Sequence, residues 1–259
     1  MHDRLSVHSV TFTGAPLNEL DRFWRAAGLN RLSLVDVQLS DPGLAPLIAA
    51  RGYRTHAVCH VFSTSDELLR VIDAAADIGA TMVYLLTGGR RGLNWEQAAD
   101  RFCAAVAPGV AAAGNAGICL AVENASSLYA DIHFAHSLRD TITLAELAGL
   151  DICIDLFHCW AEAGLDALVD RALPRTRLIQ LSDYVLGDRW LPARAVPGDG
   201  AVPIEPFLAR VLAAGYPHGF DLELIGPRIE SEGRVEAAHR ACRTVAAMLD
   251  RLESIHGVR

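Results

Sequence analysis

Four apolar segments of this chain end in a side chain able to hold a cation or move a proton. They are L-A-V-E-N at Glu123, I-C-I-D-L-F-H at Asp155, L-I-Q-L-S-D at Gln180 and F-D-L-E-L at Glu223. Three carboxylates and an amide oxygen make a hard oxygen donor set of the kind that binds a divalent cation. Taken singly, each is an ordinary strand-end polar residue facing water or capping the next helix. Taken together they are harder to explain that way, because an apolar strand that delivers a carboxylate toward a protein interior buries charge. That is costly unless a cation or partner compensates. The four stand 32, 25 and 43 positions apart, so only a fold that gathers the ends of successive strands can bring them to one ion.

Such a fold is legible in the elements around them. Eight short apolar or β-branched runs, at residues 5–12, 32–35, 55–61, 82–86, 118–122, 152–155, 177–180 and 219–223, alternate with amphipathic segments. This is the pattern of βα units and a parallel sheet. A helix over 66–78 opens after Ser63-Thr64-Ser65 as after an N-cap, one over 95–113 is expected to stop at Gly114, and a long last helix over about 230–252 would close the ring. The prediction is an α/β fold, a single (β/α)8 TIM barrel occupying residues 1–259 as one domain. The irregular stretches 124–139 and 184–203 follow the fifth and seventh strands and are expected as loops on the catalytic face.

Composition removes several function classes. Hydrophobic residues make up 51% of the chain, yet no apolar run approaches the roughly 18 residues that span a bilayer. The N-terminus shows no secretory signal, so a soluble cytoplasmic protein is expected. The six cysteines form no CxxC pair and read as reduced, mostly buried small hydrophobes. A net charge of −8, from 31 acids against 23 bases, argues against a nucleic-acid surface. All 23 bases are arginine, and without a lysine the chain cannot itself supply a Schiff base, a pyridoxal phosphate anchor, a P-loop amine or a lysine general base.

The four segments and their flanks, most specifically residues 118–226, resemble the xylose-isomerase-like superfamily of TIM barrels. That superfamily contains sugar-phosphate isomerases and epimerases, ketose 3-epimerases, inosose isomerases and dehydratases, and endonuclease IV. Its metal ligands are a Glu in V-E-N, an Asp in D-x-x-H, a His in H-x-x-D and a Glu in a final apolar strand. The resemblance maps them to Glu123, Asp155, Gln180 and Glu223. The third position departs, with Gln180-Leu181-Ser182-Asp183 where a histidine is usual. A neutral amide oxygen is harder than imidazole, so Mn²⁺ or Mg²⁺ is favoured over Zn²⁺. The resemblance further implies substrate contacts at His158, at Arg194 before Val196-Pro197-Gly198-Asp199-Gly200, at His60 and at Asp183. The loop histidines His133 and His136, read as part of a lid or as solvated, are assigned no role.

The expected activity is a metal-dependent isomerase or epimerase acting on a ketose, a ketose phosphate or an inosose-like polyol. The cation would stabilise an enediolate while Glu123 and Glu223, on opposite faces, remove and return the proton. Two alternatives stay open. One is a dehydratase or lyase on a keto-inositol or 3-keto-glycoside using the same site. The other is a non-catalytic sugar- or protein-binding barrel. DNA repair of the endonuclease IV kind needs a His-rich zinc cluster and a DNA surface, against which the missing histidine and the acidic balance both count. The expected partner is a small carbohydrate or polyol, with no nucleic acid and no membrane; the resemblance allows a homo-oligomer.

Overall fold

Strand side chains alternate between two faces, and in this chain the two faces carry different chemistry. Val58, Val83, Val122, Ile154, Ile179 and Leu222 point outward into the main core beneath the helices. Ala57, Met82, Tyr84, Ala121, Cys153 and Leu178 point inward and form a separate cluster along the axis. The inner set is small or polar enough to let eight strands close on themselves.

The computed structural model describes residues 2–256. Its barrel strands are β1 (Leu5–His8), β2 (Arg31–Val35), β3 (Arg54–Val61), β4 (Met82–Leu86), β5 (Cys119–Glu123), β6 (Asp151–Asp155), β7 (Thr176–Leu181) and β8 (Gly219–Leu222). All pair in parallel, and β1 pairs with both β2 and β8, which closes the ring. After them in turn come α1 (Leu17–Ala26), α2 (Leu44–Arg51), α3 (Ser65–Asp77), α4 (Trp95–Ala116), α5 (Leu138–Ala148), α6 (Leu165–Ala172), α7 (Ile204–Ala213) and α8 (Arg234–His256). The architecture is the (β/α)8 barrel expected from the sequence. Met1 and residues 257–259 of the expected domain lie outside the described residues. Among those residues, no helix is long and apolar enough to cross a membrane.

Three boundaries differ from expectation, each for a local reason. The first apolar run was expected to stay extended to residue 12, but β1 ends at His8, whose imidazole accepts the Val10 N–H and opens the 3-10 turn Ser9–Phe12. Helix α4 passes through Gly114 and stops at Gly117, which is left-handed at φ +68°. A mid-helix glycine costs about 1 kcal/mol without ending the helix, whereas a left-handed residue does end it. The last helical region divides at Gly233 (φ +98°) into a short helix, Pro227–Glu232, and α8.

The loops after β5 and β7 lie at the carboxyl end of the barrel, as the strand order requires. The second contains a two-residue antiparallel ladder in which Asp183–Tyr184 pairs with Arg194–Ala195.

Candidate active site

Glu123 is the last residue of β5 and Asp155 the last of β6; Gln180 lies in β7, and Glu223 immediately follows β8. All four belong to the inward set and gather at the carboxyl end of the barrel. Glu123, Asp155 and Gln180 are buried, while the Glu223 side chain keeps 16% exposure.

Asp155 is positioned from two directions. The Asn124 amide, next after Glu123, donates to the Asp155 carbonyl and accepts the Asp155 N–H, both at 2.9 Å. Asp155 Oδ1 accepts the Phe157 N–H at 2.9 Å and so caps the short helix Leu156–Cys159. That helix brings His158 back over the site, with Nε2 3.6 Å from Asp155 Oδ2. One carboxylate oxygen is spent on the fold and the other is directed into the site.

Arg194 enters from the loop after β7. Its Nη2 donates to Asp155 Oδ2 at 2.6 Å and lies 2.9 Å from Glu223 Oε1 and 3.3 Å from His158 Nε2. Its Nη1 donates to Ser182 Oγ at 2.9 Å, and the guanidinium carbon sits 4.6 Å from the centroid of the Phe157 ring. The loop that carries it is tied down by Asp183, whose carboxylate accepts the N–H groups of Tyr184, Gly198, Gly200 and Val202 at 2.8–3.0 Å. Glycine is required at 200, where a Cβ would lie 2.3 Å from the Tyr184 carbonyl oxygen.

The charges are arranged by burial and by this arginine. Burial pushes Asp155 up, but the Arg194 guanidinium, His158 and the Phe157 N–H outweigh it and hold the carboxyl below its usual range. Glu223 is pushed up to about 7, chiefly by burial and in part by Asp155, against the pull of Arg194 and Gln180. Burial, reinforced by Glu223 and Asp155, drives Glu123 well above the carboxylate range. Burial brings His158 down to about 4, so at neutral pH it is an uncharged donor or ligand. Asp155 held below the usual carboxylate range, Glu123 pushed well above it and Glu223 at about 7 form the divided set of carboxyls that proton-transfer sites use.

Gln180 has a different task from the one expected of it. Its Nε2 donates to Glu223 Oε2 at 2.7 Å and to the Tyr84 hydroxyl at 3.2 Å, while Oε1 accepts from the Cys153 thiol at 3.3 Å. The amide thus turns its nitrogen to Glu223 and its oxygen to Cys153. The oxygen that was to face the cation points elsewhere. Behind it stand residues the sequence reading overlooked. The Tyr84 hydroxyl is 2.8 Å from His8 Nε2, and Asp221 Oδ1 accepts from Ser6 Oγ at 2.6 Å. Asp221 had a visible signal, two places before Glu223 in F-D-L-E-L and therefore on the same face. Tyr84, inside the apolar run M-V-Y-L-L, had none.

Two expected substrate contacts are corrected. In β3 the inward side chains are Ala57 and Cys59, so His60 points outward; it is buried, with Nδ1 2.5 Å from Asp36 Oδ2. Asp183 is consumed by its four N–H donors and holds a loop. His158 and Arg194 do join the carboxylates. The two unassigned histidines differ in burial. His133 is buried, accepting the Thr87 N–H at Nδ1 and bonding the Ala135 carbonyl through Nε2, and His136 is half-buried against the Ala125 carbonyl.

The residues present fit a divalent cation, with one change in the expected donor set. Glu123, Asp155 and His158 each offer a ligand atom, and these atoms lie within 4.8 Å of one another. Two carboxylate oxygens and an imidazole nitrogen are a workable set for Mn²⁺, Mg²⁺ or Zn²⁺. The nitrogen donor of that set is His158, three residues after Asp155, and Gln180 is not part of it.

A sequence profile described as xylose isomerase-like TIM barrel matches residues 44–245. No curated protein sequence matches the chain. Among solved structures, the chain is similar to a protein from Sinorhizobium meliloti 1021, at 21% identity and a TM-score of 0.80, covering 96% of this chain and 98% of that one. It is similar to the IolI protein with a bound zinc atom, at 14% identity and a TM-score of 0.80, covering 96% and 99%. A third likeness is to L-ribulose 3-epimerase, at 16% identity and a TM-score of 0.78, covering 98% and 97%.

Proposed function

The chain belongs to the xylose isomerase-like TIM barrel family, and from that premise we propose that it is an isomerase or epimerase of a ketose, a ketose phosphate or an inosose-like polyol. The whole chain, residues 1–259, would serve as one domain built around this site. The observation that carries the reading is the placement of Glu123 and Glu223. They reach one cluster from β5 and β8, three strands apart in the barrel order, so a substrate lying over Asp155 has a carboxyl on either side. Removing a proton from one face of a carbon and returning it to the other needs that arrangement.

In this reading Glu223 is the base and Glu123 the acid for one direction of the reaction. Gln180 holds Glu223 in place, and Arg194 offers N–H donors to a substrate oxygen that comes to share Asp155. A divalent cation held by Glu123, Asp155 and His158, Mn²⁺ or Mg²⁺ because most of the donors are oxygens, would polarise the carbonyl and raise the acidity of the adjacent C–H. The likeness in fold to L-ribulose 3-epimerase supports the reaction class.

The test is deuterium wash-in. Ketoses, ketose phosphates and inososes are incubated in D2O with the Mn²⁺-supplemented protein, and exchange at the carbon next to the carbonyl is followed by NMR. At least one substrate should exchange, and Glu223→Gln should lower the rate by at least about 10²-fold with folding intact. Exchange that is absent throughout, or undiminished in the variant, rejects the reading. A second reading, elimination of a β-substituent from the same enediolate, is favoured by one departure, Gln180 at the family's histidine position. Loss of mass in the product separates the two.

A further inference from the structure

Next to the carboxylates, the loops after β5, β6 and β7 enclose a cleft of about 370 Å³. Its walls are apolar: Leu128 from the first loop, Phe157 and Trp160 from the second, and Tyr184, Trp190 and Leu191 from the third. Trp190 is 81% exposed and Leu128 71%, so two large hydrophobic side chains from different loops stand in water at this cleft. A cluster of this kind on one face marks a binding surface far more often than isolated exposed leucines do. The rings are set for another ring to join them. Phe157 and Tyr184 meet edge to face with centroids 6.1 Å apart, and Trp160 lies 6.4 Å from Tyr184.

The cleft adjoins the candidate active site through His158. His158 lines it while its Nε2 stands 3.6 Å from Asp155 Oδ2, and the Phe157 ring that lines it carries the Arg194 guanidinium 4.6 Å from its centroid. A molecule held at Asp155 and Glu223 therefore has the cleft beside it, past His158. Aromatic and aliphatic side chains dominate the lining; of its polar ones Asp188 and Tyr184 are engaged, and the exposed Arg189 is a cation that the face of a ring accepts. The Asp188 carboxylate is bound by Arg228, and the Tyr184 hydroxyl donates to the Asp188 carbonyl. A second sugar would bring hydroxyls to walls with few partners, whereas an aromatic ring gains stacking and edge contacts.

We propose that this cleft is a subsite for an aromatic group attached to the carbohydrate, so that the substrate class is an aryl-bearing keto sugar such as an aryl 3-keto-glycoside, whose ring keeps the carbonyl an enediolate needs and for which simple aryl glycosides serve as binding probes. The inference rests on reading the adjoining carboxylates as a carbohydrate site, and it concerns binding rather than turnover. It is tested by isothermal titration of the full chain with matched phenyl and methyl glycosides of D-glucose, D-galactose and D-xylose, and with cellobiose. The phenyl member should bind at least tenfold more tightly than its methyl counterpart in at least one pair. Trp190→Ala, at a position exposed enough to spare the fold, should abolish that preference while leaving methyl glycoside binding unchanged. Trp160→Ala should weaken the phenyl member in the same way. Equal binding within every pair, tighter binding of cellobiose, or a phenyl preference untouched by both variants overturns the proposal. A phenyl preference in a protein that shows no deuterium wash-in leaves the subsite standing and removes only the proposed reaction.

Discussion

Arg194 donates to Asp155 Oδ2 at 2.6 Å through Nη2, a nitrogen that also lies 2.9 Å from Glu223 Oε1. A divalent cation seated on Asp155 would draw on the same oxygen, and two cations that close repel. The guanidinium is held by Ser182, by the face of Phe157 and by a loop clamped at Asp183, so it gives way at a cost. Arg194→Met is therefore expected to tighten Mn²⁺ binding by at least about tenfold, or 1.4 kcal/mol. Calorimetric titration of metal-free protein measures this; equal affinities in wild type and variant would show that arginine and metal do not compete.

Gln180→His should change metal preference. An imidazole there loses the amide N–H given to Glu223 and adds a nitrogen ligand beside His158, and nitrogen donors suit Zn²⁺ better than Mn²⁺. The ratio of Zn²⁺ to Mn²⁺ affinity should rise about tenfold, read by competition with a chromophoric chelator. A ratio that stays put would place position 180 outside the metal's reach.

Asp183→Ala separates a loop clamp from a substrate contact. Four backbone N–H groups lose their acceptor, and that of buried Val202 is the costly one, at about 1–3 kcal/mol, while those of exposed Gly198 and Gly200 can turn to water. The melting temperature should fall by at least about 5 °C, visible by calorimetry with no ligand present. Lost substrate affinity at an unchanged melting temperature would return Asp183 to the substrate site.

Acid should destabilise the fold through two buried histidines. Burial pushes His56 down to about 3, with Arg31 and His218 adding to it, and burial pushes His133 down to about 3. The unfolded chain takes up these protons near pH 6.5 and the folded chain does not, so each contributes stability that is full above pH 6.5 and is lost as pH falls toward 3. Glu123 and Glu223, raised by burial, act with the opposite sign, so the useful measurement is a difference. Between pH 7 and pH 4, His56→Gln combined with His133→Asn should lose less stability to denaturant than wild type loses. Parallel pH profiles would mean that these histidines titrate alike in both states.

The sequence by itself determined the barrel and the ends of the strands that build the site. Alternating apolar runs, capped helices and the polar residues that close L-A-V-E-N, I-C-I-D and F-D-L-E are local features, and local features survive in one dimension. Glu123, Asp155, Glu223 and His158 were legible for that reason. The tertiary structure alone decided which way and with which atom each polar side chain acts. His60 lies on the outer face of β3 and pairs with Asp36, because strand parity, not the strand's end, sets its direction. Gln180 presents nitrogen because Glu223, 43 residues on, is an acceptor, and Tyr84 joins it across 96 residues. Arg194 reaches Asp155 across 39 residues only because Asp183 folds the intervening loop. Donor and acceptor roles at this site are relations between strands, and no spacing along the chain encodes them until the barrel closes.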